Sequence, residues 1–200
     1  MTEASRTPER PAAPPIPAAV LERARLGEPA ALAALFEACF DSIYGLAARM
    51  MGDVTLAEDV VQEVFLRLHK AAATIDTSRD PRPWLRTMTA NLCRDHWRSF
   101  GAKVSRKAVP VDGDPDQAPP MANGGPTPEA QAISSQQARQ VQAAVDQLPE
   151  QLREVVVLRD YEGLAHEEIA KIVGASPAAV RKRYSRALSA LGELLEDFWP

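Results

Sequence analysis

A short segment near the end of the chain combines the residue types that two helices joined by a tight turn require. Ala170 is small enough for the helices to approach each other, Gly174 permits the turn without a Cβ penalty, and Val180 supplies an apolar contact from the second helix to the first. Ser176 is a good N-cap and Pro177 suits the first helical position, so the second helix is predicted to begin there. The segment therefore predicts a helix-turn-helix.

The second helix of this motif is predicted to have a buried face and a basic face. The buried stripe, set by helical spacing, comprises Val180, Tyr184, Ala187, Leu188 and Leu191. The other side carries Lys182, Ser185 and Arg186, with Arg181 at its edge, and no acid occurs in residues 176–190. Such a face can neutralise phosphates and donate hydrogen bonds to bases in the major groove, which predicts DNA binding. A solvated basic face on a packing helix is the alternative.

Composition excludes several classes of protein. The chain has 200 residues and a formal net charge of −4, which is too mild for the whole chain to act as a polyanion binder. Cys39 and Cys93 lie far apart in apolar helical patterns, which argues against a disulfide framework and favours a reducing cytoplasm. No segment is predicted to be long and apolar enough to cross a bilayer. Residues 1–17 lack the apolar core of a signal peptide and are predicted to be a disordered tail.

A change of composition divides the rest of the chain in two. Residues 109–128 are rich in Pro, Gly, Asp and Asn, whereas helical periodicity occurs on both sides of them. No alternating run of β-branched residues indicates a strand. The predicted fold is therefore all-α, with two small helical modules at residues 18–105 and 131–200 joined by a flexible acidic linker at residues 106–130.

The first module contains a helix with an acidic face. Thr55 and Glu58 have the spacing of a capping box, so the helix is predicted to begin at Thr55. Apolar residues between positions 57 and 68 fall on one side of this helix. The rest of its surface carries Asp59, Gln62, Glu63 and Leu66. An acidic and amide-bearing face suits a basic partner helix, and a solvated face is the simpler alternative.

A second helix of this module, predicted at residues 83–100, is basic and contains tryptophan. The cations in and around it are Arg82, Arg86, Arg94, Arg98, Lys103, Arg106 and Lys107. Trp84 and Trp97 are interleaved with them. Cations can hold phosphates while aromatic rings receive unstacked bases, as binding of single-stranded or melting DNA requires. For each tryptophan taken alone, a place in the core is the better interpretation.

No group of residues in the sequence is typical of a catalytic site. Residues 166–170 begin like a zinc-protease helix, but Ala170 stands where the second histidine is needed. Cys93 and His96 are one helical turn apart, yet the sequence supplies no nearby partners for a four-ligand site. We therefore expect no catalytic residue, no metal and no cofactor; a metal-responsive enzyme or sensor centred on Cys93 and His96 is the alternative.

Together these features resemble the extracytoplasmic-function (ECF) group of bacterial sigma factors, within the sigma-70 family. The resemblance is carried by residues 57–65 as sigma region 2, by Pro83-Trp84-Leu85 and Asn91 later in that region, and by residues 148–187 as region 4. It implies a cytoplasmic, non-enzymatic factor that binds core RNA polymerase, directs it to promoters with minus-35 and minus-ten elements, and assists melting of the latter. The sequence departs from the family at Ala165, where a capping Ser or Thr is usual.

The resemblance also implies roles for individual residues. The clamp helices of the largest polymerase subunit would be bound by Asp59, Gln62 and Glu63, and the polymerase flap is a further expected contact. Residues 75–82 would form the loop that captures a flipped base of the minus-ten element. The residues assigned to minus-ten DNA are Arg82, Trp84, Arg86, Asn91, Arg94 and Arg98. Those assigned to the minus-35 element are Arg181, Lys182, Ser185 and Arg186.

A regulatory partner and a second function complete these expectations. The resemblance implies an anti-sigma factor that covers the polymerase- and DNA-binding surfaces. It also implies a linker whose acidic residues take the place of RNA phosphates, with an ordinary solvated spacer as the alternative. The alternative function is a stand-alone helix-turn-helix regulator such as a repressor. A repressor gives no reason to combine the acidic face at residues 59–65 with a basic helix that contains tryptophan.

Overall fold

Helices form the regular structure of the chain in this computed structural model, which describes residues 14–104 and 128–196. The first range contains α1 (Ala18–Arg25), α2 (Pro29–Met51), α3 (Val54–Lys70), a short 3-10 turn (Ala72–Thr74) and α4 (Arg82–Val104). The second contains α5 (Pro128–Gln147), α6 (Glu150–Val156), a π-helical turn (Val157–Tyr161), α7 (His166–Val173) and α8 (Pro177–Leu195). Neither range contains a strand, so the predicted all-α class is confirmed. The predicted tail up to residue 13 and most of the predicted linker lie outside the described residues.

The central helix of the first range is α2. Its buried residues are Ala31, Leu32, Leu35, Cys39, Ile43, Leu46, Ala47, Met50 and Met51. They face α1, α3 and α4, each of which packs on α2. The expectation about membranes is wrong for this helix, because its 23 residues are long and apolar enough to cross one, with a mean hydropathy of 1.4. A single such helix whose apolar face forms a core is weak evidence of a membrane span.

The start of α3 differs from the prediction. Asp53 caps this helix, since its carboxylate accepts a hydrogen bond from the N–H of Leu56 at 2.8 Å. The predicted capping box of Thr55 and Glu58 is therefore wrong. Gly52 ends α2 in the left-handed region, with φ of 66°, and only Asp53 then has extended backbone before α3 begins. The tight connection places the cap two residues earlier than the residue types alone indicate.

The helix-turn-helix forms as predicted. Gly174 ends α7 with φ of 65°, and the Ser176 hydroxyl accepts a hydrogen bond from the N–H of Ala179 at 3.2 Å to start α8. Val180 is fully buried and Ala170 is 5% exposed. These contacts fix the crossing of α7 and α8 at the tight turn, and so set the direction in which the basic face of α8 points.

Two details of the motif follow from local geometry. Leu188 is 47% exposed, so its predicted place in the buried stripe is wrong. It lies one residue beyond buried Ala187, and one residue rotates a helix position by about 100°, which turns Leu188 away from the core.

At the start of α7, the Glu168 carboxylate accepts a hydrogen bond from the N–H of Ala165 at 2.8 Å. The alanine side chain of Ala165 cannot accept a hydrogen bond from the N–H of Glu168 in return, so only half of a capping box forms.

Replacing Asp53 with alanine should lower the free energy of unfolding by about 1 kcal/mol, because one orphan N–H of α3 loses its acceptor. Urea unfolding followed by far-UV circular dichroism measures this value. Thr55→Ala is the matched control, since Thr55 is exposed and does not cap the helix. A larger loss with Thr55→Ala than with Asp53→Ala would contradict the observed cap.

Candidate polymerase and nucleic-acid interfaces

The acidic face of α3 forms one open surface. Asp59 and Gln62 are exposed, and Glu63 is half-buried beside them. The Glu63 carboxylate accepts a hydrogen bond from Arg67 Nε at 2.8 Å, and this bond is the main reason that the pKa of Glu63 lies below its ordinary value. Leu66, half exposed, adds an apolar contact to the surface. The three predicted residues therefore lie together, with one charge already partly balanced.

Sequence reasoning missed the second wall of this surface. Asp59 and Glu63 line an open groove whose other side is α4. The α4 residues that line it are Leu92, Asp95, His96 and Ser99. Their spacing of three, one and three residues places them on one helix face, which was the available signal. A partner helix that enters this groove would contact both α3 and α4.

The loop before α4 is built by hydrogen bonds within the loop itself. The Asp76 carboxylate accepts bonds from the N–H and the hydroxyl of Ser78, at 3.0 Å and 2.6 Å, and these bonds lower the pKa of Asp76. The Asp80 carboxylate accepts a bond from the N–H of Arg82 at 3.0 Å, at the start of α4. The predicted base-capturing segment is thus an ordered turn that ends directly at the basic helix.

Arg82 is enclosed by this loop and by the N-terminal segment. Its guanidinium forms an ion pair with Asp80 at 3.0 Å and donates to the carbonyl oxygen of Pro14, so the side chain is only 15% exposed. Buried Cys39 is also nearby, and burial raises the pKa of its thiol to about 11. Arg82 therefore connects three parts of the first module in this structure.

Arg86 and Arg94 face the second module. Arg86 Nε lies 3.0 Å from Glu162 Oε2, and the two side chains are 22% and 2% exposed. Arg94 Nε lies 3.0 Å from Glu154 Oε1, with exposures of 16% and 3%. The second pair is a close ion pair without hydrogen-bond alignment, and Arg94 instead donates to the carbonyl oxygen of Ile172 and to Asn91. Two residues assigned to minus-ten DNA are thus paired within the protein.

Glu154 is a buried acid that sequence reasoning missed. Desolvation raises its pKa to about 7, and Arg94, then Arg183 and Arg98, act in the opposite direction. Glu154 stands at the start of a run of buried residues, 155–158, where an acid needs a partner. The place of Glu154 before this buried run was the only signal in the sequence, because its partner Arg94 lies 60 residues earlier in the chain.

The remaining predicted minus-ten residues are at the surface. Arg98 is 72% exposed and has a 3.4 Å ion pair with Asp95. Trp84 is 36% exposed, so its interpretation as a core residue is wrong, whereas Trp97 is half-buried against the core. Asn91 is half-buried and accepts the bond from Arg94. The predicted DNA surface of α4 is therefore part open and part covered.

The basic face of α8 is open. The exposed residues of this face include Arg181, Lys182, Ser185 and Arg186. Arg181 has an ion pair with Glu167 of α7 at 3.3 Å, and both side chains are more than half exposed, so solvent screens the pair. Behind this face, the Tyr184 hydroxyl donates to Asp160 at 2.8 Å and fixes α8 against the π-helical turn. The four residues form one surface that can meet a DNA duplex.

Cys93 and His96 do not face a common site. Cys93 is fully buried, and desolvation raises the pKa of its thiol to about 12. His96 is half-buried and lines the groove against α3. Among residues 14–104 and 128–196, no group of three or more His, Cys, Asp or Glu side chains is placed to hold a metal ion.

Two families match the two parts of the chain. Residues 35–102 match Sigma-70 region 2, and residues 138–191 match Sigma-70, region 4. The first match includes α3 and most of α2 and α4, and the second includes α6, α7 and most of α8. The candidate polymerase surface and the candidate DNA faces therefore lie inside the matched residues.

Similar curated proteins are also sigma factors. The chain is 34% identical over 184 residues to the probable RNA polymerase sigma factor RfaY of Xanthomonas campestris pv. campestris, covering 89% of this chain and 44% of that protein. It is 34% identical over 182 residues to the RNA polymerase sigma factor CarQ of Myxococcus xanthus, covering 88% and 96%. It is 35% identical over 155 residues to the ECF RNA polymerase sigma factor SigE of Mycolicibacterium smegmatis, covering 78% and 58%. The chain thus spans less than half of the Xanthomonas protein and nearly all of the Myxococcus one.

Solved structures share the fold. The sigma factor RpoE in complex with the anti-sigma factor NepR, from Bartonella quintana, has a TM-score of 0.62 at 22% identity and covers 80% of this chain and 94% of that one. CnrH in complex with the cytosolic domain of CnrY has a TM-score of 0.58 at 24% identity and covers 90% and 97%. The family matches and the curated relatives do not favour a stand-alone repressor. The chain belongs to the sigma-70 family, as a promoter-recognising RNA polymerase sigma factor of the extracytoplasmic-function group.

Proposed function

We propose that this chain binds core RNA polymerase with the acidic face of α3, reads minus-35 duplex with α8, and holds the melting minus-ten element with α4 and the loop before it. The observation that carries this proposal is the open basic face of α8, which is the second helix of a formed helix-turn-helix. The proposed modules are residues 18–105 and 131–200, with a tail at residues 1–17 and a linker at residues 106–130.

The chemistry of α8 suits duplex DNA. Arg186 offers a planar guanidinium that can donate two hydrogen bonds to the O6 and N7 atoms of a guanine. Ser185 supplies a short hydroxyl, and Lys182 and Arg181 supply charges that can neutralise phosphates. This division of labour lets the edge of the helix position the DNA while its centre reads the bases.

The chemistry of α4 suits single-stranded DNA. Trp84 is exposed, and an indole face can stack on an unpaired base. Arg98 is exposed on the same helix and can hold the phosphate backbone. Asn91, Arg82, Arg86 and Arg94 complete the proposed minus-ten set. Stacking and charge together favour the unpaired strand over the duplex, which is how the protein would assist melting.

The chemistry of α3 suits a basic helical partner. Asp59 and Glu63 present carboxylates, Gln62 presents an amide, and exposed Leu66 adds apolar area at the edge. We propose that the clamp helices of the largest polymerase subunit occupy the groove between α3 and α4, and that region 4 contacts the flap. The protein would act in the cytoplasm, binding and remodelling DNA without catalysing a reaction itself, because RNA synthesis belongs to the polymerase.

An anti-sigma factor is the proposed regulator. Solved structures with this fold include a sigma factor in complex with the anti-sigma factor NepR and CnrH in complex with the cytosolic domain of CnrY, which supports a comparable partner for this chain. Such a partner would restrain activity by covering the polymerase-binding and DNA-binding surfaces.

The double variant Gln62→Ala/Glu63→Lys should lose promoter-specific run-off transcripts made with purified core polymerase on genomic fragments. Its affinity for core should fall about tenfold or more, because a like charge opposes a basic partner at the centre of the contact. The control is Glu37→Lys, which reverses one exposed charge on α2 outside the proposed surfaces. Transcription by the double variant at the level of this control would refute the polymerase assignment.

The variant Arg186→Ala should weaken binding to promoter duplex about tenfold, since one bidentate base contact is worth about 1–3 kcal/mol. Its affinity for core polymerase should stay unchanged. Electrophoretic mobility shift measures the first value, and co-purification with core measures the second. The control is Arg25→Ala, which removes an exposed cation from α1. Specific duplex binding without any association with core would instead place the protein among stand-alone regulators.

A further inference from the structure

The two modules dock on each other through cations assigned to minus-ten DNA. Arg86 of α4 pairs with Glu162, and Arg94 of α4 pairs with Glu154 of α6. Both carboxylates are almost fully buried, at 2% and 3% side-chain exposure. A guanidinium binds a carboxylate and a phosphate with the same donor geometry, so one cannot hold both with the same donors. In this arrangement Glu162 accepts from Arg86, while Glu154 balances the charge of Arg94, whose Nη2 donates to the carbonyl oxygen of Ile172. Both arginines are therefore engaged within the protein and are not free to bind a phosphate.

Further contacts show that the docking is specific. Arg153 of α6 donates from Nη1 to the carbonyl oxygens of Met50 and Met51, at 3.1 Å and 3.3 Å, and so places a cation at the C-terminus of α2. A Cβ on Gly52 would lie 3.1 Å from the same nitrogen, so a side chain there would require the Arg153 guanidinium to shift. The guanidinium carbon of Arg49 lies 4.7 Å from the ring centroid of Tyr161, within the range of a cation–π contact.

The docking leaves the other two proposed surfaces open. Asp59 and Gln62 of α3 remain exposed, and so do Lys182 and Arg186 of α8. The residues of the first module that make the contacts described above lie on α4 and at the C-terminal end of α2. The arrangement therefore separates the three proposed binding activities: polymerase and minus-35 duplex can be reached while two minus-ten cations are occupied.

We propose that the docked arrangement is an autoinhibited state of the free protein, in which Glu154 and Glu162 act as internal substitutes for minus-ten phosphates and must be displaced before Arg94 and Arg86 can bind DNA. This inference rests on the proposed function, because that function assigns the two arginines to the promoter. It adds an order of events: polymerase and the minus-35 duplex can engage the docked protein, and undocking then releases the minus-ten cations.

Burial of the two ion pairs makes such a latch reversible. Removing two charges from water offsets much of the attraction between them, so buried pairs add little net stability while they specify one arrangement. The pKa of Glu154, about 7, shows that desolvation outweighs the attraction of Arg94. A partner that binds either module can therefore shift the equilibrium without breaking a strong contact.

Charge reversal at Glu162 tests the latch. The full-length variant Glu162→Lys places a cation against Arg86 and should undock the modules, and Glu162→Ala should do so to a smaller degree. Glu193→Lys is the matched control, because it makes the same charge change on an exposed part of α8. Circular dichroism and minus-35 duplex binding establish that each variant is folded.

The distance between the modules is measured by fluorescence energy transfer between dyes on cysteines introduced at two exposed positions, Glu58→Cys on α3 and Ser189→Cys on α8. Cys39 and Cys93 are buried, and their thiol pKa values are raised, so they react slowly with the dyes. Fluorescence anisotropy measures in parallel how unlabelled protein binds a fluorescein-labelled single-stranded DNA of mixed sequence. The DNA has about 20 nucleotides, which exceeds the site size of typical single-strand binders.

The expected result is a short distance in the wild type and in Glu193→Lys, and a longer one in Glu162→Lys. If about nine in ten molecules are docked, undocking should tighten single-strand binding about tenfold, because the apparent Kd equals the intrinsic Kd divided by the competent fraction. Undocking that leaves single-strand affinity equal to that of Glu193→Lys would overturn the inference, and so would a wild type that is already undocked.

A separate variant distinguishes failure of this inference from failure of the proposed function. Arg98 is exposed in the docked protein, so Arg98→Ala should weaken single-strand binding in both the wild type and the Glu162→Lys background. If Arg98→Ala has no effect in either background, α4 is not the DNA surface, and the proposed function fails together with the inference. If Arg98→Ala weakens binding but undocking does not strengthen it, only the inference fails.

Discussion

Burial of the apolar face of α2 is the interaction on which the rest of the structure depends. Helices α1, α3 and α4 each pack on this face, so its residues set where the acidic surface of α3 and the basic surface of α4 lie. The C-terminal carbonyl groups of the same helix accept hydrogen bonds from Arg153 of the second module. One helix thus forms the core of region 2 and also provides the docking point for region 4.

Charge in this protein is informative only when it is located on the structure. The net charge of −4 conceals an open acidic face on α3, an open basic face on α8 and a basic helix, α4, part of which is neutralised by Glu154 and Glu162. Exposed charges of this kind attract partners of opposite charge, whereas a buried ion pair forms in one arrangement of the chain and is absent in another. The three faces differ in their exposure, and we propose that this difference lets the open faces bind before the covered one.

Features that depend on local geometry could be predicted from the sequence. The turn at Gly174 and the cap at Ser176 require particular residue types within a few positions, and both were found. The spacing of Thr55 and Glu58 predicts a cap at Thr55, whereas the tight connection after Gly52 makes Asp53 the cap of α3. The pairs of Arg86 with Glu162 and Arg94 with Glu154 join residues far apart in the sequence, so they follow from tertiary docking and no local pattern indicates them.

Hydrogen–deuterium exchange of the full-length protein, free and bound to core polymerase and promoter DNA, tests the central claim most directly. The account predicts that amides of α3 and α8 become more protected in the complex, while residues 154–162 lose the protection that docking provides. These changes would accompany productive transcription in the same sample. Transcription that proceeds with α3 unprotected, or with residues 154–162 protected to the same degree as in the free protein, would contradict the account.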